Sequence, residues 1–196
     1  TLLAVEGGTL TVLREAVFFA NDPTESELTH VDVSSDGAWA VATRTLIETD
    51  ASGAQTACGG SLVFFDTGDS ATFGTVLAEV PVGAMPDSVD ISDDDTLVVS
   101  ANERDGPDAW GKCEVVGATA SISVVDVSGG PAAAVERHRI ALADTPAAPR
   151  EPEAIVFSAD NDLVVCTLQD SHEVAFFRVS ALAGNPAPTE DDLTIV

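Results

Sequence analysis

DSVDISDDDTLVVSANE, residues 87–103, is written three times in this chain with variations. THVDVSSDGAWAVATRT at 29–45 and EAIVFSADNDLVVCTLQ at 153–169 carry the same message: an alternating apolar strand, a Ser-x-Asp turn and a second apolar strand. Ser34, Ser92 and Ser158 stand in register, and Asp36, Asp94 and Asp160 follow two places on. Alternation with a period of two marks strands, and no segment sustains an apolar face of helical period. A repeated two-strand hairpin about every sixty residues is the signature of a radial β architecture.

Reading outward, a third strand follows each hairpin, SLVFFD at 61–66, SISVVD at 121–126 and EVAFFR at 173–178. A fourth is expected at 75–82, 137–142 and 193–196. Four antiparallel strands per unit make a propeller blade. The N-terminus fits one blade earlier, with TLLAVE as a second strand, Gly7-Gly8 as a hairpin turn, TLTVL as a third strand and AVFFA at 16–20 as a fourth. The expected fold is therefore all-β, an incomplete β-propeller of about three full blades plus three strands of another. The units fall at 1–20 (partial blade), 28–82, 86–142 and 152–196. Val31, Val33, Val89, Ile91, Val98, Ile155, Phe157 and Val164 are the expected core.

Propellers close with roughly 4 to 8 blades, and an open array leaves an apolar blade face and strand edges uncovered. The chain is thus expected to partner the remaining blades of a larger propeller or another copy of itself.

Composition bounds the setting. Eight Lys and Arg against 33 Asp and Glu leave a net charge of −25, so nucleic acid and anionic membrane surfaces would repel the protein. Cations are the natural counterpart, and a carboxylate-rich surface also suits a high-salt habitat or simple solubility. No apolar run reaches the roughly 18 residues that cross a bilayer.

Cys166 lies within the apolar strand LVVCT and reads as a small buried hydrophobe. Cys58 and Cys113 fall in long insertions between the second and third strands of neighbouring blades, which project from the same rim. They are read as a disulfide pinning two loops without strand structure, or as two exposed thiols, and the bridge is the expectation.

The sequence has no G-x-S-x-G elbow, H-E-x-x-H, C-x-x-C, phosphate loop or dinucleotide fingerprint. His30, His138 and His172 fall at unrelated blade positions. The Asp93-Asp94-Asp95 run lacks the glycine and twelfth-position acid of an EF-hand and reads as a solvated turn. What remains is positional. The loop entering each innermost strand and the loop leaving the second strand emerge together around the mouth of the central channel. Thr29, Asp87 and Glu153 occupy the entry positions, and Glu6, Thr45, Glu103 and Gln169 the exits. A ring of oxygen donors without His or Cys is the chemistry of calcium or magnesium. The expected ligands are Asp87, Glu103 and Glu153, with Asn102 and Gln169 as neutral oxygens, and Ca²⁺ is the expected cofactor. Polar strand ends that simply meet water are the plain alternative.

PDSVDISDDDTLVVSANERDG followed by GATASISVVDVSGG, and EPEAIVFSADNDLVVCTLQDSHEVAFFRVSA, resemble the repeats of the choice-of-anchor I surface proteins. The likeness rests on Ala101-Asn102-Glu103, the strand at 121–126, Glu151-Pro152-Glu153 and Thr167-Leu168-Gln169, and Arg104 stands where the family usually has Gly. It implies a secreted bacterial propeller, extracellular, at the cell surface or in the periplasm, similar to the mesenchyme-specific cell-surface glycoproteins and often labelled alkaline-phosphatase-like. Two functions follow as expectations. One is a non-catalytic module that binds divalent cations and a surface, glycan or protein partner. The alternative is a calcium-dependent phosphoesterase of alkaline-phosphatase or phytase type. That chemistry needs clustered metals and basic clamps on the phosphoryl oxygens, and Arg44, Arg104 and Lys112 are the candidates for the clamps.

Overall fold

The computed structural model describes residues 2–6, 9–14, 25–68, 71–104, 113, 118–145, 147–185 and 187–196, with only the backbone course given for residues up to 26. It contains three four-stranded antiparallel sheets and one two-stranded hairpin. The hairpin is β1 (Leu2–Glu6) with β2 (Thr9–Arg14). The expected turn at Gly7-Gly8, the expected strand at 16–20 and Lys112 lie outside the described residues. The first complete blade is β3 (Glu25–Val33), β4 (Trp39–Thr49), β5 (Gln55–Asp66) and β6 (Val76–Val82), paired in chain order. The second is β7 (Pro86–Ile91), β8 (Leu97–Asn102), β9 (Ser121–Asp126) and β10 (Val135–Ala141). The third is β11 (Pro152–Phe157), β12 (Leu163–Leu168), β13 (Glu173–Arg178) and the short β14 (Thr194–Ile195). Among the described residues one α-helical turn, α1 (Val179–Leu182), follows β13.

The Ser-x-Asp motif builds its turn the same way in each blade. The hydroxyls of Ser34, Ser92 and Ser158 donate to Asp36, Asp94 and Asp160, and accept from the amides of Trp39, Leu97 and Leu163 across the hairpin. The next turn position is left-handed, at φ 70° for Gly37, 56° for Asp95 and 61° for Asn161, a conformation that Gly, Asp and Asn tolerate best. Asp95 uses it to accept the Ser35 N–H (2.9 Å) and hydroxyl (2.5 Å) of the first blade, and Asn161 to accept the Asp93 N–H of the second (2.8 Å). The second and third turns therefore each cap the preceding turn.

Two apolar cores lie between blades, because each blade is apolar on both faces. Trp39, Val41, Leu62, Phe64, Val80 and Val82 of the first meet Val89, Ile91, Val98, Val125 and Val127 of the second. The other face of the second blade, including Val99, Ile122, Val124 and Ile140, meets Ile155, Val164, Cys166, Leu168 and Phe177 of the third. Phe157 packs partly buried against that cluster. Val31 and Val33 depart from the expected core and are 54% and 52% exposed. They lie on the face of the first blade turned away from the second, at the positions where Val89 and Ile91 meet the first. Burial at this position is supplied by the preceding blade, so one residue type is core in one repeat and surface in another.

Innermost strands are also stitched side chain to backbone. His30 Nδ1 accepts the Val89 N–H (3.0 Å) and Asp32 accepts the Ile91 N–H (2.9 Å). One blade on, Ser88 accepts the Ile155 N–H (3.3 Å) and Asp90 the Phe157 N–H (2.6 Å). These contacts satisfy amides on the edges of β7 and β11 that have no strand beside them. In the third blade the matching positions are Ala154 and Val156.

The stretch around Cys58 corrects the expected strandless loop. β4 and β5 continue as a paired ribbon with Ile47 opposite Cys58 and Glu48 opposite Ala57. The ribbon closes on Asp50, whose carboxylate accepts the Ser52 and Ala54 amides, with Gly53 at φ 84°. Ile47 and the threonines that flank it hold the ribbon in strand geometry beyond the blade proper.

Candidate metal centre

Three chain segments converge at the channel mouth. β7 enters with Asp87 as its second residue, β8 ends at Asn102 so that Glu103 is the first residue beyond it, and β11 enters with Glu153 second. One carboxylate oxygen from each of Asp87, Glu103 and Glu153 lies within 4.8 Å of the other two, and all three residues are half-buried. Thr29, His30, Asp87, Ser88, Glu153 and Ala154 line an open hollow of about 280 Å³ beside them. Oxygens at this mutual distance can share one hard cation, whose ligands sit 2.3–2.6 Å from calcium.

The electrostatics fit a site short of positive charge. Burial pushes the Asp87 carboxyl above its ordinary range, the Glu27 carboxylate pushes it the same way, and His30 opposes both. A nearby cation would relieve the repulsion and restore the charged form. The two arginines named as phosphate clamps are bonded elsewhere: Arg44 is buried against Glu79 at 2.8 Å, and Arg104 reaches Asp144 at 3.5 Å.

The two neutral residues differ in placement. Gln169 follows β12 at the position equivalent to Glu103. Its side-chain amide, oriented to satisfy its neighbours, donates to both oxygens of Glu153 at 3.3 and 3.0 Å. Its backbone N–H donates to the Glu151 carbonyl. Gln169 thus touches the cluster through nitrogen and would turn its oxygen inward only by rotating. Asn102 is fully buried and engaged: its oxygen accepts from Ser100, and its nitrogen donates to Ser121 (3.1 Å) and Ser123 (3.0 Å). Successive residues of an extended segment point to opposite sides, so Asn102 turns from the mouth where Glu103 faces it.

His30 belongs to the hollow, although the sequence reading set it aside as one of three scattered histidines. Because Nδ1 accepts the Val89 amide, the neutral ring carries its proton on Nε2. Thr29 bridges the mouth too, with its hydroxyl 2.7 Å from Thr43 Oγ1 and donating to the Pro86 carbonyl at 2.9 Å. The signal for both was register with Asp87-Ser88 in the repeat.

Behind the mouth, Cys58 and Cys113 form the expected disulfide, with Cα atoms 5.5 Å apart. Cys166 is a buried free thiol pushed up to about 12 by burial.

Four-stranded antiparallel blades stacked face to face, with inner-strand ends gathered at one mouth, define a β-propeller module. Within that class the particular family is shown by sequence: the choice-of-anchor I domain matches residues 4–141, and the chain belongs to that family. No curated protein matches the chain. Among solved structures, it is similar to the periplasmic gluconolactonase PpgL of Pseudomonas aeruginosa, with TM-score 0.62 and 16% identity over 95% of this chain and 47% of that one. It is also similar to the hydrazine synthase of Kuenenia stuttgartiensis, with TM-score 0.52 and 17% identity over 79% of this chain and 41% of that one. At these identities the likeness is one of fold. The chain spans less than half the length of either structure. No helix among the described residues is long and apolar enough to cross a membrane.

Proposed function

We propose that this chain is part of an extracellular, non-catalytic propeller module whose channel mouth holds a hard divalent cation, calcium foremost. Through that mouth and its acidic surface the module engages a surface, glycan or protein ligand. The observation that carries the reading is the meeting of Asp87, Glu103 and Glu153 from three segments within 4.8 Å. Converging carboxylates cost repulsion unless a cation neutralises them. Calcium suits an irregular oxygen set better than magnesium, which demands a tight octahedron. The disulfide and the choice-of-anchor family support an exported location. The half-exposed Val31 and Val33 on one outward face and Val156 on the other support partners that are further blades, in the same polypeptide or in a second copy.

The test is a melting curve in chelator against millimolar calcium, at fixed high ionic strength so that general screening stays constant. A hundredfold excess of calcium over its Kd should add about 2.7 kcal/mol of stability. Glu103→Gln and Asp87→Asn should each shrink the shift. No calcium-specific shift in the wild type, or one that survives both substitutions, sinks the reading.

A further inference from the structure

Asp87 is delivered by a strap, residues 83–86, that leads from the end of β6 into the first residue of β7, and the centre of this strap is Met85. Met85 is buried, yet its backbone is left-handed at φ 53°, which a residue with a Cβ adopts only under restraint. The restraints come from two sides. Its N–H donates to the Gly59 carbonyl at 3.3 Å, and its carbonyl accepts the Glu103 N–H at 2.9 Å. Its side chain packs with Ala84 and Cys113, against the partly buried Cys58 and Ala118.

These contacts form a closed circuit. Cys58 precedes Gly59, which holds Met85 from one side, and the segment that begins at Glu103, which holds it from the other, leads in sequence to Cys113. The disulfide ties Cys58, the neighbour of the first holder, to Cys113, which packs with the Met85 side chain. The strap is also seated without slack: a Cβ on Gly60 would overlap the Pro86 ring, and one on Gly83 would overlap Ser121 and crowd Asn102. Asp87 follows the strap by one residue, and Glu103 is itself one of the holders.

We infer that Met85, clamped by the Cys58–Cys113 disulfide, is the positioning residue that sets Asp87 against Glu103, so that cation affinity at the mouth depends on an intact disulfide. This rests on the cation reading above, but the bracing has its own readout. Met85 touches no cation; it acts through the backbone on either side of it.

The experiment compares wild type, the double variant Cys58→Ser with Cys113→Ser, Met85→Leu and Met85→Gly in the full chain. Amide hydrogen exchange in chelator is followed at Met85 and Glu103, with Val99 and Val124 as core controls. Calcium affinity is measured by titration calorimetry at high ionic strength. The double variant should lose about tenfold or more protection at both strap amides and bind calcium about tenfold more weakly, while the controls hold. Met85→Leu, which keeps apolar bulk, should stay near wild type. Met85→Gly relieves the backbone but leaves the clamp empty, and should behave like the double variant. Should the double variant fail to fold, the contrast between Met85→Leu and Met85→Gly decides the matter. Unchanged protection at the strap amides overturns the inference, and so does lost protection with unchanged calcium affinity. If the wild type binds no calcium, the cation reading falls by itself and the strap amides alone decide the bracing.

Discussion

Asp90→Ala should weaken the junction between the second and third blades, whereas Asp90→Asn should not. Asp90 accepts the Phe157 N–H at 2.6 Å across that junction. Alanine leaves a half-buried amide without its acceptor, a loss of about 1 to 2 kcal/mol, which for a chain of 196 residues lowers Tm by about 2 to 8 °C. Asparagine keeps an acceptor oxygen in place. It also removes a charge that the fold tolerates poorly. Burial pushes the Asp90 carboxyl above its ordinary range, the Phe157 amide opposes this, Asp32 and Asp93 add repulsion, and His30 offsets part of it. A carboxyl whose folded pKa lies above the unfolded 3.8 holds its proton longer when folded. Its contribution is therefore present below 3.8 and is lost as pH rises through the folded value. The Asp90→Asn chain should lack that decline and be at least as stable as wild type at neutral pH. Thermal unfolding of the three proteins from about pH 4 to pH 7 reads both effects. Equal stability of the Ala and Asn variants at neutral pH would refute the stitching argument. A wild-type minus Asn difference that stays constant across the range would refute the burial argument.

Phe64 is fully buried between the first two blades, with its ring centroid 5.8 Å from that of Trp39. Phe64→Ala should cost about 3 to 5 kcal/mol in urea unfolding, and a loss under 1 kcal/mol would mean that the blades do not share this core. Cys166, with its thiol pushed up to about 12 by burial, should resist a thiol reagent at mildly alkaline pH until the chain unfolds. Fast labelling would show the third blade to be open. Asp162 is held at about 2 by the Ser180 side chain first, then by the Ser180 backbone and Arg178. Its contribution is present above the ordinary 3.8 and lost as pH falls through about 2, so carboxyl resonances followed by acid titration should show Asp162 titrating last among the turn aspartates, and Ser180→Ala should move it upward.

The blades were legible because alternation and the Ser-x-Asp turn are local signals repeated in register. The ribbon beyond Thr45 was not, since Asp50, Ser52 and Gly53 read as loop chemistry while the strands flanking them carry little apolar pattern. The exposure of Val31 and Val33 was hidden for the opposite reason: the alternation is right, but burial depends on which blade stands in front. Of the candidate ligands, Asp87 and Glu153 came from equivalent entries to inner strands and Glu103 from the exit of a second strand, positions that fix direction as well as place. Asn102 was drawn in by adjacency to Glu103, although alternation sends neighbours to opposite faces. His30, Ser88, Asp32 and Asp90 carry no local signal of the bonds they make. Their bonds to the next inner strand span 59 or 67 residues of sequence, and only the stacking of blades brings the partners together.

That stitching gives the array a direction. Acceptor side chains belong to the earlier blade and donor amides to the later one at both junctions, so the units are not interchangeable bricks but words with an order. A transplanted second blade could follow any unit bearing His or Ser and then Asp at the two inner-strand positions. The third blade, with Ala154 and Val156 there, can receive a predecessor in this manner and cannot serve as one. Rearrangement of the repeats, by recombination or by design, would therefore succeed or fail according to two residues per unit, the first of which also lines the hollow at the mouth.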